Sequence, residues 1–468
     1  MPAAAARRVR PWGTRQRPSD RGPAESNRVA PSQQSLEHRI LLTATLCLLA
    51  FGAVMVYSAS SATSLLRGQG NGSGYLVKFV AYGAIGLVIM HVLARDGVAK
   101  VQRLVAPLLG VSFALVLAVH VPHVGVAVNG ARRWIGPGSL QFQPSELLKL
   151  ALVLYTATLL AGRSPSGSAR LAVGRSEVGQ RELTRPLLVV VGGACLLVAT
   201  EPDLGTAMVI AFTTAALLVA AGVSPRNLAI IAGSVLGVVA LYALARPYAR
   251  ARLTSFLDPW AHASGSGFQA VQGQIAIGSG GLLGVGPGES VQKIFYLPEA
   301  PTDFIFAVIA EELGVVGVCA LLFLYGLIAY AGLRAAKAAR SLYSALIAVG
   351  TTALILSQAI LNVFAVLGLA PLTGVPLPFV SYGSSSLIVM LAAMGLLLNV
   401  AAGGTAHVRA VAPSRRRRGR PSSRSGDARA REPARWSRDG NTEEDRDSRG
   451  RYRGARGARA GGGRRAAG

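Results

Sequence analysis

The sequence predicts an all-α polytopic membrane protein with about ten transmembrane helices, both termini cytoplasmic, and a long extracytoplasmic loop between helices 7 and 8. Three observations carry that expectation. The 468 residues are 51% hydrophobic and only 15% charged, with a mean hydropathy of +0.43, too apolar for a soluble chain of this size. Apolar runs close to the roughly 20 residues that cross a hydrocarbon core recur along the chain. Between them Lys and Arg collect in alternate connections, as the positive-inside bias requires.

The first run, 39–61, comes after a polar stretch and has no small-residue cleavage pattern behind it, so it reads as an anchor rather than a removed leader. Runs over 74–94, 101–121, 145–162, 185–201, 203–222, 226–246, 303–333, 341–368 and 382–404 complete the set. With the N-terminus inside, the inner connections hold Arg95, Lys100 and Arg103, then Arg163, Arg170, Arg175, Arg181 and Arg185, then Arg226, then Arg334, Lys337 and Arg340. The outward segments are 122–144, the turn Glu201-Pro202-Asp203, 247–302 and 369–381, and the unusual polar residues gather in these four places. A loop as long as 247–302 is usually functional.

Residues 1–38 and 406–468 are rich in Arg, Gly, Pro and Ser and cannot bury a core, so they are expected to be disordered basic tails flanking a 39–405 transmembrane domain. About two thirds of the formal net charge of +26 sits in those tails. Beside a membrane such arginines meet anionic headgroups, at around 1 kcal/mol each, and nucleic acid is not an expected partner. Cys47, Cys195 and Cys319 fall inside apolar runs and read as small buried hydrophobes, with neither a disulfide nor a metal site expected.

Five segments carry the candidate chemistry. In NGARRWIGPGSLQFQPSELLKL, Pro144 suits a first helical turn and Glu146 and Lys149 stand three apart, in the order that favours an ion pair. Arg132, Arg133 and Lys149 are cations at the membrane boundary, placed either to hold a phosphate or, for the arginines, to snorkel to the interface. ATEPDLGTAMV makes the shortest outward turn, with Asp203 or Thr206 available as a cap. GSGGLLGVGPGES has the glycine density of a phosphate-cradling loop but lacks the Gly-Lys-Ser/Thr ending, and reads as flexible outer loop.

In FYLPEAPTDFIFAVIAEELG, Pro298 and Pro301 keep the chain out of a helix until Thr302 or Asp303, either of which can cap the apolar helix beyond. Asp303 is also where a base would meet a substrate with its head outside and its tail in lipid. Glu311 and Glu312 lie roughly 12 to 14 Å further along the helix, where a charge costs about 2.5 to 3.5 kcal/mol; pairing with a buried cation is the expectation. In PLTGVPLPFVSYGSSS the prolines are compatible with backbone that lines a cavity. Its serine rim can hydrogen-bond sugar, while capping by Ser381 or Ser384 explains much of the same pattern.

Those segments, in that order, resemble the shape, elongation, division and sporulation family of bacterial membrane proteins, over roughly residues 36–405. The resemblance implies ten transmembrane helices, a multi-pass protein of the bacterial plasma membrane, and polymerisation of lipid II into glycan strands outside the membrane beside a class B penicillin-binding transpeptidase. The family's essential aspartate matches Asp303, which by analogy takes the proton from the 4-hydroxyl of the acceptor sugar. Substrate-contacting candidates are Arg132, Arg133, Glu146, Lys149, Glu201, Lys293, Glu299, Ser381 and Ser385, with Glu311 and Glu312 as intramembrane structural residues. No tightly bound cofactor is implied, though a divalent cation, Mg or Mn, would suit a diphosphate. Two positions depart from the pattern: Pro301 stands where the family carries His, and Ser384 where it carries Gly. QFQPSELLKLALVLY and YLPEAPTDFIFAVIAEELG are nearer to the division branch, which implies a septal location and other division proteins as partners. The competing classes are an elongation polymerase, a lipid II flippase, and a non-catalytic scaffold.

Overall fold

The computed structural model describes residues 35–68, 72–128, 131–137, 141–162, 180–245 and 247–403. The tails apart from residues 35–38, which open α1, and Arg163, Arg170 and Arg175 of the second inner connection lie outside the described residues. Every predicted run has a helical counterpart: α1 (Leu36–Leu66), α2 (Gly74–Ala118), α3 (Pro144–Gly162), α4 (Gln180–Thr200), α5 (Leu204–Ala220), α6 (Pro225–Ala245), α9 (Ile305–Ala338), α10 (Leu342–Val366) and α11 (Ser384–Ala401), with α7 (Pro247–Leu257) and α8 (Phe268–Gly280) between α6 and α9. The protein is an all-α polytopic membrane protein. Among the described residues seven helical segments are long and apolar enough to cross a membrane, and 186–200 and 204–220 are shorter apolar helices.

The second and third runs lie together in α2 as two apolar segments, Gly74–Arg95 and Lys100–Ala118, joined through Gly97. Two expectations need correction. The segment 122–144 holds a two-stranded antiparallel hairpin, β1 (Gly125–Val128) and β2 (Ala131–Ile135). The 247–302 segment is built rather than loose, since α7 and α8 occupy much of it.

The glycine-rich stretch is the sharpest departure. Helix α9 is broken at Gly314, which has φ 61° and ψ −158°, and residues 281–286 are spliced into the break. Val285 and Gly286 donate their amides to the carbonyls of Glu311 and Glu312 at 2.9 and 3.1 Å. Val315 and Val316 donate to Gly281 and Leu282 at 3.1 and 3.3 Å. Backbone polar groups freed by a break inside a membrane must find partners within the protein, and this segment supplies them. A Cβ on Gly280 would lie 1.9 Å from the Ala310 carbonyl oxygen, and one on Gly284 would lie 2.1 Å from that of Glu312. The glycines therefore serve close backbone approach, not flexibility.

The connections separate into two groups. At one end, Ser35 Oγ donates to Ala401 O at 2.7 Å, Asn399 Nδ2 to Ala94 O at 2.8 Å, and Arg334 meets Glu37 at 3.2 Å. At the other, the four predicted outward segments touch one another, and the candidate residues gather there.

Candidate functional site

Asp303 sits in a turn that opens α9, after Glu299 takes a left-handed φ of 58° and its carbonyl accepts the amides of Thr302 and Phe304. Helix α9 starts at Ile305 with Phe304 as N-cap and no side-chain cap bond. Asp303 therefore does not cap, and Thr302 Oγ1 is turned to Glu299 at 2.9 Å. The carboxyl of Asp303 is left for another purpose. Its backbone carbonyl accepts Asn362 Nδ2 at 2.8 Å.

Arg133 reaches the same place through an irregularity of the hairpin. Val126 pairs with Trp134 and Ala127 with Arg132, so Arg133 is the extra residue of a bulge, a device that re-aims a side chain. Its Nε donates to Glu201 O at 2.9 Å and its Nη2 to Pro202 O. A Cβ on Gly374 (φ 67°) would lie 3.4 Å from Asp303 Oδ2 and 3.8 Å from Arg133 Nη1. Carboxylate and guanidinium thus face each other over a glycine whose missing side chain leaves a space between them.

The surrounding groups set the charge of Asp303. Burial pushes its pKa up to about 7, and Glu299 and Asp203 push the same way, against Arg252 and Arg133. The residue as a whole is half-buried. Glu201 is almost wholly buried with neither carboxylate oxygen bonded to any described residue. Burial first and Asp203 second raise its pKa to about 9, with Arg133 opposing, which leaves it protonated at neutral pH.

The scaffold of this end is a mesh between segments. Asp203 caps α5 through the Thr206 amide at 3.1 Å and accepts Gln143 Nε2 at 2.9 Å. The Gln143 amide donates to Ser385 Oγ at 3.1 Å, Ser384 Oγ to Gln141 O at 2.9 Å, Arg252 Nη1 to Leu372 O at 2.9 Å, and the Tyr382 amide to Pro301 O at 2.9 Å. Ser381 takes the Leu377 amide at 2.8 Å. Since α11 begins behind Gly383 without a side-chain cap, neither Ser381 nor Ser384 caps it.

The other predicted residues occupy separate networks. Lys149 is buried, bonded to Glu146 at 2.9 Å and to Gln358 Oε1 at 2.7 Å, so the expected pair is present. Lys293 is bonded to Glu312 at 2.8 Å, Gly288 O at 2.7 Å and Ser58 Oγ at 3.1 Å. That lysine is neutralised inside the bundle, which removes it as a source of charge for a diphosphate. Glu312 thus has its buried cation, but Glu311 does not: it accepts Ser290 Oγ and the Val291 amide, anchoring the spliced segment. Arg132 is exposed on the hairpin and Glu299 is exposed beside Asp303. Among the described residues no group of three His, Cys, Asp or Glu is placed to hold a metal ion.

Sequence reading missed Arg252, Asn362, Gln358 and Gly374. Only the two amides left a usable signal, being polar residues four apart inside an apolar run.

The family model described as "Cell cycle protein", covering FtsW, RodA and SpoVE, matches residues 39–405. A probable peptidoglycan glycosyltransferase FtsW of Thioalkalivibrio sulfidiphilus is 41% identical, over 77% of this chain and 88% of that protein. Stage V sporulation protein E of Bacillus subtilis is 37% identical over 77% of this chain and 96% of its own. Among solved structures, one described as structural coordination of polymerization and crosslinking by a peptidoglycan synthase complex matches with a TM-score of 0.61 and 32% identity, covering 77% of this chain and 96% of that one. Thermus thermophilus RodA matches with a TM-score of 0.55 and 30% identity, over 77% and 95%.

Proposed function

The chain belongs to the FtsW, RodA and SpoVE family of cell cycle proteins, and from that premise we propose that it is the peptidoglycan glycosyltransferase of septal wall synthesis, polymerising lipid II with Asp303 as general base. The observation that carries the reading is the meeting of Asp303 and Arg133 over the space at Gly374. Ten spans with both termini inside turn that end of the molecule outward, where the sugars of lipid II are found.

In this reaction the Asp303 carboxylate accepts the proton of the acceptor's 4-hydroxyl while that oxygen bonds to the anomeric carbon of the donor. The bond from that carbon to the lipid diphosphate breaks, and the leaving oxygen carries the electron pair away. A positioned base contributes about 100- to 10,000-fold, and a pKa of about 7 suits the task, since the group is half ionised near working pH and still basic. Arg133, fixed by the carbonyls of the 201–202 turn, supplies positive charge to meet the negative charge that develops on the leaving diphosphate. The solved complex that joins polymerization to crosslinking supports a crosslinking partner for this chain, a class B penicillin-binding transpeptidase.

The test is a strand-length assay on purified protein with lipid II, with and without that partner. Long glycan from the parent and none from folded Asp303→Asn is expected. Polymer from Asp303→Asn would remove the base assignment, and no polymer from a folded parent with its partner present would remove the polymerase reading.

A further inference from the structure

Two amides on α10, one turn apart, face the segment that carries Gly374. Gln358 Nε2 donates to Pro376 O and to Ser386 Oγ, both at 3.1 Å, while its Oε1 accepts Lys149. Asn362 Nδ2 donates to Val375 O and to Asp303 O, both at 2.8 Å. Two carbonyl oxygens that near a single atom require a donor there, because an amide oxygen would repel both. A single side chain therefore ties the residue bearing the carboxylate to the segment bearing Gly374. Asn362 is 2% exposed and its Oδ1 bonds to no described residue. Burying such a group is unfavourable, and an apolar residue of the same volume would fill the place without that cost. What the asparagine adds is the pair of directed bonds.

We infer that Asn362 is a positioning residue for the transfer, holding the Asp303 backbone against the 374–376 segment so that the carboxylate stays turned toward Arg133 and the acceptor hydroxyl. It touches neither substrate nor reacting atoms, and the inference rests on Asp303 being the base. The groups bearing on that carboxylate are Glu299 and Asp203, which disfavour its ionised form, and Arg252 and Arg133, which favour it. With the tether cut, Asp303 moves toward water and loses the burial that holds its pKa up.

The experiment measures kcat, KM and the pH–rate profile of full-length parent, Asn362→Ala, Gln358→Ala and Asp303→Asn with lipid II, in the format in which the parent polymerises. Asn362→Ala should lose about 10- to 100-fold in kcat, the scale of a displaced reacting group, keep KM within about twofold, and show its acid limb at lower pH than the parent. Gln358→Ala, which does not touch Asp303, should leave the limb in place. Kinetics of Asn362→Ala equal to the parent's, or a loss that only tracks the folded fraction with the limb unmoved, overturn the inference. If Asn362→Ala does not accumulate folded, the same readings are taken on Asn362→Ser; failure of both to fold makes the role structural and also overturns it. Polymer from Asp303→Asn, or a parent profile with no acid limb, instead identifies the base assignment as the fault.

Discussion

Gly314→Ala tests whether α9 is spliced as described. The methyl group would stand 2.4 Å from the Gly284 amide nitrogen and 2.6 Å from the Leu282 carbonyl oxygen, distances that only movement of the backbone can relieve. With ψ at −158° the left-handed φ lies in a region essentially confined to glycine and costs an alanine about 1 to 3 kcal/mol. Displacing residues 282–284 removes the Val316-to-Leu282 bond, one of the four across the break, at roughly 0.5 to 1.5 kcal/mol. The sum is about 1.5 to 4.5 kcal/mol, against net stabilities on the order of 5 to 15 kcal/mol. Heating in detergent and then size-exclusion chromatography should place the midpoint on the order of 10 °C below the parent, with glycan synthesis lost. Gly326→Ala is the control, in the same helix with nothing within 4 Å of the added methyl, and should hold or slightly raise the midpoint. A Gly314→Ala protein with parental midpoint and activity would refute the splice.

The charges set three further outcomes. Because Asp303 acts ionised and its pKa stands at about 7, turnover should fall toward tenfold per pH unit below that value; a flat profile from about pH 7.5 to 5.5 would contradict the assignment. Glu201 binds its proton more tightly folded, at about 9, than its ordinary 4.5, so its ionisation costs stability progressively as pH rises between those values. Glu201→Gln should therefore raise the thermal midpoint more at about pH 8 than at about pH 5, and an equal gain at both would contradict that account. Glu312→Gln leaves the buried Lys293 ammonium without its counter-ion, at about 3 to 5 kcal/mol. Adding Lys293→Met should recover part of that loss, measured by the same heating assay.

Much of the fold was legible because lipid imposes one rule, an apolar run of sufficient length, and most of the runs obey it. The Glu146–Lys149 pair and the Asp203 cap were legible for a similar reason, since both are local spacings of three residues. What the sequence concealed depends on contacts between distant segments. Glycine density reads alike whether a loop is loose or pressed against another backbone, and only the carbonyls of Glu311 and Glu312 distinguish the two for 281–286. The bulge at Arg133 rests on strands of four and five residues, too short to show alternation. Asn362 stands out as polar, but nothing near it in sequence indicates that its partners are residues 303 and 375.

The spliced break also bears on how the chain is made. Residues 281–286 are synthesised before α9, so they have left the ribosome when the helix that must receive them does not yet exist. Until they dock, the carbonyls of Glu311 and Glu312 and the amides of Val315 and Val316 need other partners, which a continuous helix provides. The four groups that a continuous helix would pair as two bonds, Val315 with Glu311 and Val316 with Glu312, are each bonded to the docked segment, so the break leaves none of them unpaired.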